Sequence, residues 1–294
     1  NVRAASMSLF PDQPDHFVRW LRRHGGGPDA AARFAPRSQY GAYIEEVLRG
    51  SRSWFGPKIS RRRASVIACI PDGRGWALET DRGASIGADA VVLALGNPPP
   101  VPPGYFAGAD VSLVNPEDFT ALKRLPRGDV LLLGTGLSSV DMALSFARTR
   151  PNSVIYALSR RGQLPHAHLG AAAPPAPRRL DLPLPLSEAL LALRREAVAA
   201  AARGEPWQHV IDRLRALTPD LWQRLPAEAQ RRFLRHLRPW WDVHRHRMAP
   251  EVAAQIANLQ QRGRLRILAG EIVSAEQRGR RIHLLRHPLR QGQE

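Results

Sequence analysis

Asp129 to Arg161, DVLLLGTGLSSVDMALSFARTRPNSVIYALSRR, constrains what the chain can fold into more than any other stretch. Val130 to Leu133 is a short apolar run, Gly134-Thr135-Gly136 breaks it, an amphipathic segment runs from Ser138 to about Arg148, and a β-branched run follows from Ser153 to Leu158. That order predicts strand, tight turn, helix and strand, one βαβ unit. The first glycine permits the sharp exit from the strand, and the second leaves room for a pyrophosphate at the helix N-terminus. Gly134, Thr135, Gly136, Leu137, Ser138 and Ser139 are therefore candidate dinucleotide contacts, with Ser139 at the third, non-glycine position of a degenerate G-x-G-x-x-G/A fingerprint. A glycine turn with no ligand is the alternative reading. Where an NAD-preferring site puts a carboxylate for the ribose 2′-hydroxyl, this chain has Ser159-Arg160-Arg161. A hydroxyl and two guanidiniums suit a 2′-phosphate, so the expected cofactor is NADP(H) rather than NAD(H). Against this stands the reading of the two arginines as solvated surface residues.

The 294 residues are 44% hydrophobic, enough for a sizeable core in one or two domains despite 26 prolines. No apolar run reaches the length of a membrane span, and NVRAASMSLFPDQPDHF does not read as a signal peptide. Cys69 is the single cysteine, which excludes an intramolecular disulfide and a cysteine-based metal cluster. A cytoplasmic location is expected. The formal charge of +17 comes almost wholly from arginine spread through every segment, lysine occurring only at 58 and 123. That distribution points away from a concentrated nucleic-acid surface, and a basic nucleic-acid-binding protein ranks third among the functional readings.

In chain order, Asp15 to Arg23 reads as a helix with Phe17, Trp20 and Leu21 inward, and a second helix spans about Gly41 to Leu48. Strands are expected at Ser65 to Ile70, Trp76 to Thr80 and from Ser85. Ala88 to Leu95, closed by Gly96-Asn97-Pro98, reads as a strand buried on both faces, as in a parallel sheet. A crossover follows, with Pro116 to Phe119 opening a short helical turn. Beyond the βαβ unit, Gly170 to Leu186 reads as a surface linker. Helices are expected at Ser187 to Arg203, Trp207 to Leu217, Pro226 to Leu237 and Pro250 to Arg262. Strands at Arg264 to Leu268, Glu271 to Gln277 and Arg281 to Arg286 then repeat the helix, strand and hairpin order of residues 41–87. The chain thus reads as two related halves, with the opening strand and glycine loop of the first expected before Asn1 and the closing strand of the second after Glu294.

The segments NVRAASMS with FPDQPDHFVRWL, PRSQYGAYIEEVL, VVLALGNPPP, LLLGTGLSSVDMALSF, LSRRGQLP and PWWDVHRHRMAP, in this order, make the chain resemble the bacterial FAD/NAD(P)-binding protein family. These flavoproteins are distantly similar to flavin monooxygenases and to ornithine or lysine N-hydroxylases. The resemblance implies an α/β fold of two Rossmann-like dinucleotide-binding domains, with a helical insertion in the second. It implies FAD in the first domain and NADPH in the second, with hydride passing from nicotinamide to flavin and on to an unknown acceptor or to O2. The corresponding boundaries are 1–104 for the FAD-binding remainder, 105–170 for the NAD(P)-binding βαβ unit, 171–249 for the helical insertion and 250–294 for the return strands. By the same resemblance Asn1, Val2, Arg37, Tyr40 and Gly96 fall near the flavin or the domain seam, although a helix-start arginine and a buried tyrosine also account for Arg37 and Tyr40. Two departures stand out: no G-x-G-x-x-G precedes residue 129, and Leu95 replaces the more usual threonine. The chain as it stands is therefore expected to bind FAD poorly while keeping its NADP cradle.

Trp240, Trp241, His244, Arg245, His246 and Arg247 form the densest polar and aromatic cluster of the insertion. His244 and His246 are two residues apart, off the spacing of a zinc-binding helix face, so no metal is expected. His244, Arg245 and His246, with His166 in the loop after Arg161, are candidates for an anionic substrate or for proton transfer. Tryptophans anchoring the insertion and arginines paired with acids explain the cluster equally well. No Ser-His-Asp, paired-carboxylate or cysteine-nucleophile arrangement stands out, consistent with chemistry supplied by cofactors. An NADPH-dependent flavoprotein oxidoreductase, monooxygenase-like and acting on a small molecule, is the first reading. A nicotinamide-binding or sensing module without turnover is the second.

Overall fold

The computed structural model describes residues 2–50, 59–96, 98, 101–106, 113–170, 180, 182, 185–278 and 281–287. Asn1, Asn97 and most of the expected 170–186 linker lie outside them. The chain divides into two compact units, Arg3–Val101 and Pro102–Glu294, Val2 grouping with the latter.

In the first unit, α1 (His16–Arg23) is short and strongly amphipathic: Phe17, Val18, Trp20 and Leu21 are buried, and Arg19, Arg22 and Arg23 are exposed. Across it lies α2 (Arg37–Gly50), whose Tyr43 is fully buried against Phe17 and Trp20. Burying a phenol and an indole requires partners for their polar ends. Tyr43 Oη meets His16 Nδ1 at 2.8 Å, and Trp20 Nε1 donates to Glu46 Oε2 at 2.9 Å. Three strands follow, β1 (Val66–Asp72), β2 (Gly75–Thr80) and β3 (Ser85–Ala88), joined in order as an antiparallel meander.

Here the structure departs from expectation. Residues 90–96 form no strand, and Val92, Leu93 and Leu95 are 88%, 73% and 84% exposed. A central strand requires neighbours on both edges, and among the described residues none pairs with this segment. The expected order of helix, strand and hairpin recurs, but the pairing differs: among the described residues β1, β2 and β3 pair with one another, whereas the strands of the second half split between two sheets.

The second unit opens with α3 (Phe119–Arg124), whose N-cap Asp118 accepts from the N–H groups of Thr120 and Ala121 at 3.1 and 2.9 Å. The βαβ unit then appears where its periodicity places it: β4 (Val130–Leu133), α4 (Leu137–Thr149) and β5 (Ile155–Ser159). The helical insertion comprises α5 (Leu186–Ala202), α6 (Trp207–Arg224), α7 (Ala227–Arg232) and α8 (Arg238–Arg245). It leads to α9 (Pro250–Gln261), β6 (Leu265–Ala269) and the hairpin of β7 (Glu271–Arg278) and β8 (Arg281–His287).

Two helix boundaries differ from the sequence reading. Helix α6 continues through Thr218 and Pro219 instead of stopping at Leu217. Proline forfeits one backbone bond there, and Thr218 Oγ1 donates to the Leu214 carbonyl at 3.0 Å in the same turn. The expected helix from Pro226 to Leu237 is shorter as α7, passes through a π-helical turn at Phe233–Leu237 and resumes as α8, so the tryptophan and histidine cluster is itself helical.

Strands β4, β5 and β6 form a parallel sheet with β5 in the centre. Ile155 and Ala157 of β5 join Leu265 of β6, Val140, Ala143 and Phe146 of α4, and Ile256 of α9 in one core. Arg264 fastens the ends of this layer, donating to the carbonyls of Ser153 at 3.0 Å and Arg150 at 2.9 Å. The sheet thereby holds the C-terminal ends of β4 and β5 side by side, Leu133 opposite Leu158. Ile155, 0% exposed, sits at the centre of that arrangement. Ile155→Ala should cost about 2–5 kcal/mol of stability in denaturant unfolding, in the range of buried aliphatic truncations.

Candidate functional site

At the end of β4 the backbone turns at Gly134, whose φ of +108° is a conformation in which side-chain-bearing residues are strained. Gly136 is different. As the N-cap of α4 it has φ −75° and ψ −174°, open to any residue, and nothing lies within 4 Å of where a Cβ would stand. Neither backbone strain nor packing demands a glycine there, so its missing side chain leaves free space beside the helix N-terminus. No side chain caps that terminus and no acidic residue lies in its first turn. The first backbone bond within α4 is Val140 N–H to Gly136 O at 3.1 Å, which leaves the amides of Leu137, Ser138 and Ser139 without helical partners.

Thr135, between the two glycines, is buried. Its Oγ1 lies 2.9 Å from Ser159 Oγ and in hydrogen-bond contact with the Gln163 carbonyl. A hydroxyl has one hydrogen and a carbonyl can only accept, so Thr135 donates to Gln163 and accepts from Ser159. Ser159 Oγ in turn accepts from Gly162 N–H at 3.0 Å. The hydrogen of Ser159 is thus committed within the protein, leaving no hydroxyl donor for a phosphate. Gly162, at φ +63°, completes the turn, and a Cβ there would stand 3.1 Å from that of Ala269.

These elements open onto one cleft of about 360 Å³. Thr135, Gly136, Leu137 and Ser138 line it from the glycine turn, and Ser159, Arg160 and Arg161 from the end of β5. Gly134 and Ser139 flank the turn without lining the cleft. Helix α8 supplies a further wall through Pro239, Asp242, Val243 and His246. The Arg161 guanidinium lies 5.6 Å from the Trp240 ring centroid, a cation–π contact with the same helix. Arg160 is exposed and has no hydrogen-bond or ion-pair partner among the described residues.

The loop after β5 is stitched to the chain leaving α8. His166 N–H donates to Val243 O at 3.0 Å, Met248 N–H to His166 O at 2.7 Å, and His168 N–H to Met248 O at 2.8 Å. Arg247, 1% exposed, pairs with Asp212 of α6 and lies over the Trp207 ring. The rings of His166, Trp207 and His244 form a contiguous group, with centroids 4.5 to 5.2 Å apart. Burial, then His244 and Arg247, hold the His166 pKa below its ordinary value. The His246 pKa is lowered as well, by burial and Arg245, with Asp242 acting in the opposite sense.

Of the substrate candidates, His246 reaches the cleft, whereas His166 and His244 pack together beside it and Arg245 contacts Trp241 and His246. In the other unit, Arg37 begins α2 and Tyr40 stands edge-on to Phe17 at 5.1 Å. Val2 is exposed and Gly96 has φ +70°. Gln163, Pro165, Pro239, Asp242 and Val243 line the cleft without having been singled out from the sequence. Asp242 stood inside the conspicuous tryptophan and histidine cluster, the one signal that could have found it.

The family model described as FAD-NAD(P)-binding matches residues 1–98. No curated protein sequence matches the chain. The reduced form of ornithine hydroxylase PvdA from Pseudomonas aeruginosa is similar over 97% of this chain and 63% of its own, with TM-score 0.56 and 16% identity. For L-lysine 6-monooxygenase from Pseudomonas syringae the shares are 92% and 61%, with TM-score 0.52 and 17% identity. For the ornithine N-hydroxylase KtzI of Kutzneria sp. 744, with reduced FAD, NADP+ and L-ornithine, they are 93% and 60%, with TM-score 0.53 and 14% identity. The likeness is one of fold, and the chain spans less than two thirds of each of these proteins.

The two depressed histidines give the site a pH signature. A lowered folded-state pKa means that the unfolded chain binds more protons near and below about pH 6.5, so stability rises with pH through that region and falls on acidification. Thermal midpoints should drop from about pH 7 to 5, and His166→Gln, which keeps the backbone bonds, should reduce the slope.

Proposed function

We propose that the cleft beside α4 holds a nicotinamide dinucleotide, NADPH in preference to NADH, and that the protein is an FAD- and NADPH-dependent oxidoreductase acting on a small molecule. The observation that carries this reading is the convergence on one cleft of an uncapped helix N-terminus, the side-chain-free space at Gly136 and a guanidinium pair. These residues fit the cofactor. The free amides of Leu137 and Ser138 would receive the pyrophosphate, and Gly136 would let it approach the backbone. Arg160 and Arg161 would hold the 2′-phosphate, Arg161 with its plane steadied on Trp240. Ser159 would act indirectly, by fixing the Thr135 and Gly162 turns that flank the Arg160 and Arg161 end of the cleft.

Hydride donation from reduced nicotinamide to a flavin is the chemistry such a cofactor pair supplies. Support for FAD comes from the family match over residues 1–98. Among the described residues of Arg3–Val101 no strand, glycine turn and helix make a second cradle, so no residue there is assigned a step. The contribution of this chain is to bind and orient the nicotinamide cofactor. Ornithine and lysine hydroxylases share the fold, which makes N-hydroxylation of a primary amine the first substrate class to assay.

Arg160→Ala should weaken NADPH binding by about 2 kcal/mol, roughly thirtyfold, and leave NADH nearly unchanged. Ser159→Ala should weaken both nucleotides alike. Calorimetric titration of the two nucleotides checks this, and equal losses in Arg160→Ala would defeat the assignment to the 2′-phosphate. Anaerobic mixing with NADPH and FAD then separates the readings: flavin bleaching supports turnover, and binding without bleaching supports the non-catalytic module.

A further inference from the structure

The wall contributed by α8 contains a feature that conflicts with a plain phosphate site. Asp242 lines the same cleft as Arg160 and Arg161, and a carboxylate there repels a 2′-phosphate while being able to accept a hydrogen bond from a ribose 2′-hydroxyl. Its charge is only partly balanced within α8, Arg238 Nε lying 3.4 Å from Asp242 Oδ2. The second balancing group is His246, one turn on, with Nδ1 3.8 Å from Asp242 Oδ1, and it too lines the cleft. His246 Nε2 faces Arg245 Nη1 at 2.9 Å. Arginine can only donate, so the neutral ring accepts at Nε2 and carries its proton on Nδ1, toward Asp242. A second proton must displace the contact with Arg245.

We infer that Asp242 and His246 form a proton-controlled selector for the 2′ substituent of the adenosine, a role that rests on the nicotinamide assignment above. With His246 protonated, the pair is neutral and the arginines attract the 2′-phosphate of NADPH unopposed. With His246 neutral, the Asp242 charge shifts preference toward the 2′-hydroxyl of NADH. The groups acting on the pair are Arg238 and Arg245 around α8, Arg215 of α6, and Arg160 and Arg161 across the cleft lining. All of these are cationic and oppose protonation of His246, which Asp242 favours. A bound 2′-phosphate reverses that balance, so NADPH is expected to draw a proton onto the ring.

The test is calorimetric titration of NADP+ and NAD+ into the wild-type protein, Asp242→Asn and His246→Gln, at about pH 5.5 and about pH 8, on either side of ordinary histidine titration. The 2′-phosphate itself ionises near pH ~6, but this is common to all three proteins, so each variant is read against the wild type. Asp242→Asn should raise the preference for NADP+ over NAD+ about fivefold at the higher pH, as expected for removing one nearby like charge in a solvated cleft. His246→Gln should match the wild type at the higher pH and lose about fivefold of that preference at the lower one. Retained thermal midpoints establish that the variants are folded, and Asp242→Ser repeats the charge removal with a different side chain. A preference unchanged in both Asp242 variants, or a pH profile unchanged in His246→Gln, overturns the selector while leaving the nicotinamide site standing. Absence of binding of either nucleotide to the wild type overturns both.

Discussion

The hydroxyl of Thr135 is the point on which the geometry of the cleft depends. It is buried, it sits between the two glycines of the turn after β4, and it binds Ser159 and the Gln163 carbonyl at the other end of the site. Parallel pairing aligns the ends of β4 and β5 but leaves the loops beyond them free to diverge. The chain of hydrogen bonds from Gly162 N–H through Ser159 and Thr135 to Gln163 closes that freedom, holding the helix N-terminus and the arginine pair at a constant spacing. With the hydrogens of both hydroxyls committed and Thr135 buried, these bonds are costly to break, which is why such a small network can govern a larger surface.

A second layer of order comes from the helical insertion. More than seventy residues separate Arg161 from its cation–π partner Trp240 in sequence, yet backbone bonds between His166, Val243 and Met248 fasten α8 beside the loop that follows β5. The pairing of buried Arg247 with half-buried Asp212 and the His166, Trp207 and His244 rings fix the far side of the same junction. Breaking such a pair would strand the buried Arg247 charge, so α6 is held against the chain leaving α8, while the His166 contacts tie that chain to the loop after β5. The insertion becomes a wall of the cleft and brings both an acid and a histidine to a site that the βαβ unit alone would have made purely basic.

This division explains what could be read from the amino-acid sequence. Gly134 to Arg161 was legible because its signals are local: apolar periodicity, a glycine pair and a basic strand end lie within one supersecondary unit. The committed hydrogen of Ser159 was not, since it depends on a carbonyl that only the folded turn brings near. Nor was Asp242, whose place in the cleft is set by contacts between distant segments. Ala88 to Leu95 failed for a related reason: apolar composition marks a segment that can be a central strand, but pairing needs partners that composition does not reveal. Pro219 reads locally as a helix start, yet inside α6 it costs one backbone bond, and the π-helical turn at Phe233–Leu237 contains no glycine or proline to announce it.

The two units bear on function in different ways. The family match lies over Arg3–Val101 and its immediate neighbours, while the cleft with a definite chemical character lies in Pro102–Glu294. The central claim is that this second unit grips a nicotinamide dinucleotide from two sides, by the glycine turn and by α8. Amide hydrogen exchange with and without NADP+ tests it most directly. A two-sided grip should slow exchange in three segments at once, Thr135–Val140, Ser159–Gln163 and Pro239–His246. Exchange unchanged in these segments, with protection confined to Arg3–Val101, would contradict it.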